Sequence, residues 1–432
     1  MLNDFFKLQE NRTTVRTEIV AGVTTFLTMA YIIFVNPQIL SNAGMDRDAV
    51  FVATCLAAAL SCLIMGLYAN YPIALAPGMG LNAYFAFTLV KTMGLSWQVA
   101  LGAVFISGLL ALLLSISPVR EWLFNAIPKT LKIAISAGIG LFLGIIALEN
   151  AGIVVAHPAT LVTIGDLTKG PAMLAAFGFI LTVALDARRI PGSVIIAILV
   201  TTAIGVALGV SPARGIVDTP PSLAPTFLQL DIIGAIYAGL IAVVIVLLFV
   251  DLFDTAGTLI GVAHRAGLLA PDGTLPRLRK ALIADSSATM IGALLGTSNT
   301  TSYIESAAGV KAGGRTGLTA VTVAVLFLLA LFLAPLALTV PAYATAPALL
   351  FVACLMTRGL MEIDWEDPTE YAPAVITALA MPLTFSIATG IAFGFITYAG
   401  IKLIAGRYRD VSAAVAVLAI LFLARFAYVG GG

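Results

Sequence analysis

The sequence predicts an all-α polytopic membrane protein, and three observations carry the prediction. Hydrophobic residues make up 60% of the 432 positions and charged residues only 10%, with a mean hydropathy of +1.06. A soluble domain would carry roughly a quarter charged residues. The apolar residues fall in runs of about twenty, the length that crosses a bilayer as a helix. Lys and Arg collect at one side of the path those runs describe.

Sixteen largely polar residues precede the first run, which continues too long for the apolar core of a cleaved leader. Uninterrupted spans are predicted over 17–36, 49–70, 98–117, 130–149, 171–187 and 191–209, then over 235–263, 280–297, 315–334, 341–360, 370–387 and 389–405. Two shorter, interrupted segments lie at 74–91 and 298–312, making about 14 transmembrane segments. A last apolar stretch, 411–428, is either an extra span or an interfacial segment.

Charge placement tests this count. With the N-terminus in the cytoplasm, 18 of the 23 Lys and Arg fall on the cytoplasmic side, among them Lys7, Arg120, Lys129, Arg188, Arg277 and Arg407. Only Arg47, Lys91, Lys169 and Arg214 fall outside, with Arg425 in the ambiguous tail. That bias sets the expected orientation, N-terminus inside.

The interrupted segments hold matching places, third among the first seven elements and third among the second seven. One reads Ala76-Pro77-Gly78-Met79-Gly80-Leu81-Asn82-Ala83-Tyr84-Phe85, the other Thr297-Ser298-Asn299-Thr300-Thr301-Ser302-Tyr303-Ile304-Glu305. Two copies of an odd-numbered unit must be inverted, so the chain divides into repeats 1–234 and 235–410, followed by 411–432. Paired broken helices of this kind mark the binding site of a secondary transporter. Irregular backbone survives at membrane depth only where protein or a water-filled cavity satisfies it.

Glu305 is the residue around which the chemistry gathers. An ionisable group at membrane depth costs at least about 2.5–3.5 kcal/mol on insertion scales, which makes it a functional residue by default. No basic residue stands in the middle of any predicted span to pair with it. Asp251 and Asp254, spaced i, i+3, share one helix face, and Thr258 continues it a turn later. Carboxylates on one such face suit the carriage of a proton, so Asp251, Asp254 and Glu305 are the proton-coupling set. Asn82 either binds a ligand edge that alternates donor and acceptor or caps the half-helix it begins. Phe85 and Tyr303 are stacking residues or packing. Asp285 and Thr301 support the site or make structural hydrogen bonds.

The composition also excludes. A net charge of +1 gives no case for a nucleic-acid partner. Cys55, Cys62 and Cys354 lie in apolar runs and read as small core residues rather than a disulfide framework. His157 and His264 have no metal-ligand spacing. There is no Gly-x-x-x-x-Gly-Lys-Ser/Thr phosphate loop and no Ser/His/Asp set within the spans, which argues against an ATP-driven pump or an enzyme.

Four separated motifs carry a resemblance over nearly the whole chain. Asn-Arg-Thr-Thr-Val-Arg-Thr-Glu at 11–18 leads into Ala21-Gly22-Val23-Thr24-Thr25-Phe26-Leu27-Thr28-Met29-Ala30-Tyr31. The others are Ala76 to Ala83, Phe253-Asp254-Thr255-Ala256-Gly257-Thr258-Leu259, and Asn299 to Gly309. Together they resemble the AzgA-like purine permeases of the nucleobase–cation symporter group.

The resemblance implies a UraA-like fold of two inverted sevens, usually in a homodimer. It implies a core domain from 17–117 and 235–334, and a gate domain from 130–209 and 341–405. It implies that Asn82, Asp254 and Glu305 bind the base, with Thr258 shaping the pocket for a purine. The expectation is a multi-pass carrier of the inner (plasma) membrane that imports adenine, guanine or hypoxanthine by proton symport. It needs no cofactor, and Na⁺ is the alternative coupling ion. The rival readings are a xanthine or uracil permease, or an anion exchanger or channel on a related fold. An anion site would favour a basic residue or bare helix N-termini, and the mid-membrane carboxylates oppose it.

Overall fold

The computed structural model describes residues 2–117, 127–265, 268 and 275–429; the side chains at 242, 253, 254, 256, 257, 260, 261, 264, 265, 425, 428 and 429 are outside the description. Arg120 and the side chains of His264, Arg265 and Arg425 therefore lie outside the described residues.

Apolar runs become helices because every backbone group must find a partner within its own segment. A short α1 (Leu2–Phe5) precedes α2 (Val15–Met29), which Thr14 caps by accepting the Thr17 N–H. After a turn at Ala30 and Tyr31 comes α3 (Ile32–Ser41). Asp46 caps α4 (Arg47–Ile64), which widens into a π turn over Met65–Ala69 and ends on left-handed Asn70. The first interrupted segment is β1 (Leu75–Pro77), then α5 (Met79–Ala83), continued as a π-helix over Tyr84–Thr92. Next follow α6 (Trp97–Ile116), α7 (Lys129–Asn150), a β2–β3 hairpin (Val154–His157, Leu161–Ile164), α8 (Gly170–Ala187) and α9 (Ser193–Ala207).

The second half begins with α10 (Ile232–Tyr237) and the long α11 (Ile241–Arg265). Then come α12 (Leu278–Leu295), β4 (Thr300–Ser302) and α13 (Ser306–Lys311). The chain closes with α14 (Gly317–Ala330), α15 (Ala334–Thr339), α16 (Ala342–Thr357), α17 (Pro368–Thr384), α18 (Ile387–Ile404) and α19 (Ala413–Val429). Among the described residues, eight helical stretches are long and apolar enough to cross a membrane, some of them joining two elements, as Val15–Ser41 joins α2 and α3.

Each span expected from the sequence coincides with a helix. Four details differ from it. The first span is broken by a turn at Ala30–Tyr31, and Pro37 lies within the second piece, α3. The expected 235–263 span is α10 plus α11, parted by a turn at 238–240. The loop after α7 forms a hairpin. Cys354 is exposed rather than part of the core, because it faces outward from α16, while Cys55 and Cys62 are buried.

The chain forms two compact units. The first comprises Met1–Ile116 and Glu149–Ala348, the second Ser117–Leu148 and Leu349–Gly432. In the first, small residues let helices touch along their backbones. A Cβ on Gly317 would lie 1.9 Å from the Gly66 carbonyl oxygen, so the start of α14 rests directly on the end of α4. Glu18, fully buried on α2, accepts the Arg315 and Thr316 N–H groups and the Thr319 hydroxyl, which satisfies the start of α14.

The second unit is built on α17 and α18, where Met381 fills the space left by Gly138 and Gly390. Its buried Lys402 pairs with Glu370 and, at 3.4 Å, with Asp410; Thr130 also donates to Glu370. Removing Lys402 would leave the largely buried Glu370 carboxylate without its cationic partner. The tail stretch 411–428 is helical as α19, with Phe422 against Phe395, while Val417, Ile420, Leu421 and Leu423 remain exposed.

Candidate functional site

The centre of the first unit is made where the two interrupted segments meet. Pro77 and Gly78 oppose helix on one side, and left-handed Gly296 (φ +93°) ends α12 on the other. Any side chain at Gly296 would strike Thr226, whose Cβ lies 2.2 Å from the added atom. Freed from helix, the two stretches pair as antiparallel strands, with Leu75 opposite Ser302, Ala76 opposite Thr301 and Pro77 opposite Thr300. The Gly78 N–H to the Asn299 carbonyl (2.9 Å) and the Tyr303 N–H to the Ala74 carbonyl (2.9 Å) extend the pairing at both ends. Backbone that would cost several kcal/mol per orphaned group in a membrane is thereby satisfied by its counterpart.

Hydroxyls and one carboxylate bind this crossing to its neighbours. Asp285 on α12 accepts the Ser302 N–H and hydroxyl through Oδ1 (both 3.1 Å) and the Thr255 hydroxyl through Oδ2 (2.7 Å). Thr255 and Thr301 share a further bond of 2.8 Å. Asp285 and Thr301 thus fasten β4 between α11 and α12.

Glu305 stands at the start of α13, partly exposed, and its Oε1 accepts the Tyr31 hydroxyl at 2.6 Å. Asn82, on α5, is fully buried: its Nδ2 donates to Asn36 Oδ1, and its Oδ1 accepts the Ser298 hydroxyl. Asn36 in turn donates to Thr54 (2.7 Å) and Thr297 (2.9 Å). The broken first span therefore reaches both interrupted segments, Tyr31 to the second and Asn36 to the first.

The other residues read from the sequence are distributed unevenly around this centre. Asp251 and Thr258 are buried on α11; Asp254 lies between them on that helix, with its side chain outside the described residues. Tyr303 is buried and donates its hydroxyl to the Pro77 carbonyl, a tie between the two breaks. Phe85 is fully enclosed by protein.

Sequence reasoning passed over Tyr31, Asn36, Thr54, Thr255 and Ser298. Asn36 carried a usable signal, an amide inside an apolar run. Asn299 was read only as part of the break. Its side-chain amide is fully buried and has no hydrogen-bond partner among the described residues. Leaving such a group unpaired costs about 1–3 kcal/mol, a cost that a polar ligand could remove.

A helical protein with this many apolar stretches, and with two breaks that pair within its first unit, is a polytopic membrane protein by fold. The fold is shared with the transmembrane domain of a cyanobacterial bicarbonate transporter, BicA, at a TM-score of 0.63 and 17% identity, covering 95% of this chain and 96% of that one. The chain belongs to the xanthine/uracil permease family, described as a permease family, which it matches over residues 16–393. It is 51% identical over 429 residues to the adenine permease AdeP of Escherichia coli strain K12, covering 99% of this chain and 96% of that protein. It is 47% identical over 439 residues to the guanine/hypoxanthine permease PbuG of Bacillus subtilis strain 168, covering 99% of this chain and all of that protein. Relatives over the full length are permeases rather than enzymes.

Proposed function

We propose that this protein imports purine nucleobases, adenine, guanine or hypoxanthine, by proton symport. The observation that carries the reading is the pairing of the two interrupted segments, one leading into α5 with Asn82 and the other into α13 with Glu305. Adenine and guanine/hypoxanthine permeases among the full-length relatives support the substrate class. A purine is flat, neutral and rimmed with N–H donors and N or O acceptors. Carboxylate and amide groups complement that rim, and each charge-assisted bond contributes about 1.5–3 kcal/mol.

In this reading Asn82, Asp254, Thr258 and Glu305 hold the base, Phe85 and Tyr303 border it, and the coupled proton resides on Glu305, Asp254 or Asp251. Asp285 and Thr301 keep the crossing rigid. The two halves are inverted repeats, and a core of 17–117 with 235–334 rocks against a gate of 130–209 with 341–405. The carrier works as a homodimer in the plasma membrane with its N-terminus in the cytoplasm, as the Lys/Arg bias supports.

The test is uptake of labelled adenine, guanine, hypoxanthine and uracil into proteoliposomes, with and without a protonophore. Purine accumulation that collapses with the proton gradient, and that Glu305→Gln abolishes, is expected. Accumulation by Glu305→Gln equal to wild type, or dependence on Na⁺ alone, would sink the proton reading.

A further inference from the structure

The amide of Asn82 belongs to a hydrogen-bond chain that starts on backbone and runs in one direction. Thr54 donates its only hydroxyl proton to the Val50 carbonyl at 2.6 Å. Whatever faces Thr54 from the other side must therefore donate to it, and that group is Asn36 Nδ2 at 2.7 Å. With its nitrogen directed at Thr54 and Thr297, Asn36 has only Oδ1 to turn toward Asn82. Asn82 must then present Nδ2 to Asn36, which leaves its Oδ1 to accept from Ser298. The order of donors and acceptors at Asn82 is thus fixed two residues away, by a helical carbonyl that cannot reverse. Asn36, Thr54, Asn82 and Ser298 are all fully buried, so no solvent competes to let the amides turn over.

We infer that Asn36 and Thr54 are positioning residues that set substrate preference by locking the amide of Asn82 in one orientation. The inference rests on the purine reading above and deepens it. Adenine and hypoxanthine differ mainly at one edge: adenine carries an amino donor beside a ring-nitrogen acceptor, hypoxanthine a carbonyl acceptor beside an N–H donor. An amide free to rotate pairs with either edge. A locked amide pairs with one and meets the other donor to donor, and a site with fixed polar groups rejects a mismatched base through the bonds left unmade.

Binding of adenine and of hypoxanthine to the purified full-length protein tests this by calorimetry on wild type, Thr54→Val, Thr54→Ala and Thr54→Ser. Val and Ala remove the hydroxyl that fixes Asn36, the smaller side chain guarding against a packing artefact, whereas Ser restores it. Wild type should prefer one base, the two unlocking variants should bring the ratio of the two Kd values about tenfold nearer to one, and Thr54→Ser should keep the wild-type ratio. A wild-type ratio near one overturns the inference. So does an equal loss of affinity for both bases in Val and Ala, the mark of a merely structural role, and so does an unchanged ratio. If wild type binds neither base, the purine reading itself fails; if wild type binds with a preference and the ratio does not move, this inference fails alone.

Discussion

Tyr31 and Glu305 lie 274 residues apart in the chain and share a hydrogen bond of 2.6 Å. The bond exists because the first span breaks one residue before Tyr31, ending α2 at Met29 and starting α3 at Ile32. The same break brings Thr28 within 3.4 Å of the Glu305 carbonyl. A carboxylate at the start of a half-helix would otherwise sample several rotamers, and the Tyr31 hydroxyl selects one.

Tyr31→Phe removes this hydroxyl while keeping the ring. A hydrogen bond to a charged group contributes about 1.5–3 kcal/mol, so KM for purine uptake should rise by about tenfold or more. The maximal rate of wild type should be approached at saturating base, because Phe leaves the packing of the fully enclosed Tyr31 ring intact. Initial-rate uptake of labelled adenine in proteoliposomes measures the split. An unchanged KM would mean that the bond does not order a carboxylate that holds the base.

Much of this was legible in the sequence. The runs of apolar residues located the helices, and Pro77-Gly78 and Gly296 to Asn299 located both breaks, because proline and glycine act through local backbone chemistry. The pairing of those breaks as strands was not legible, since a three-residue ladder depends on tertiary approach. Nor was the role of Tyr31 or Asn36: each acts through a partner far along the chain, and nothing in its neighbouring residues names that partner. Asn82 was read as a ligand residue or a cap of the half-helix, and neither reading named Asn36 and Ser298, which take up part of its hydrogen-bonding capacity.

Glu18 illustrates a carboxylate with a structural task. Its Oε1 accepts the Arg315 N–H at 2.9 Å, and its Oε2 accepts the Thr316 N–H at 3.2 Å and the Thr319 hydroxyl at 2.6 Å. In Glu18→Gln one acceptor becomes an N–H₂ group facing donors, and the start of α14 loses part of its cap. The loss should destabilise the protein by about 1–2 kcal/mol. A lowered unfolding midpoint in detergent, with purine affinity unchanged in the folded fraction, is the expected outcome.

Asp367 predicts a pH dependence in the loop before α17. The Thr369 hydroxyl and N–H, at 2.8 and 2.9 Å, and then the Arg407 guanidinium hold its carboxyl down to about 2 from the ordinary 3.8. The folded state thus favours the ionised form more than the unfolded chain does. This contribution is complete above about pH 4 and is lost as the pH falls toward 2. In Asp367→Asn the drop in unfolding temperature between pH 5 and pH 2.5 should be smaller than in wild type, as scanning fluorimetry would read directly. An equal drop would show that the carboxylate is no better bound in the folded state.

Gly309 tests how closely the half-helix that follows Glu305 must sit on the first span. A Cβ there would lie 2.0 Å from Thr25 Oγ1 and 2.5 Å from the Ala21 carbonyl oxygen. The hydroxyl belongs to a side chain that could be trimmed, but the carbonyl belongs to α2 and cannot yield without moving the helix. Gly309→Ala should therefore push α13 away from α2, at an overpacking cost of about 1–3 kcal/mol. Because Glu305 immediately precedes α13 and α2 leads into Tyr31, the same displacement should lengthen their hydrogen bond and weaken purine uptake. Adding Thr25→Ala relieves the first clash and leaves the second, so the double variant should recover stability only in part. Full recovery would locate the whole constraint in the Thr25 side chain, and no loss in the single variant would mean that the two helices have room to separate.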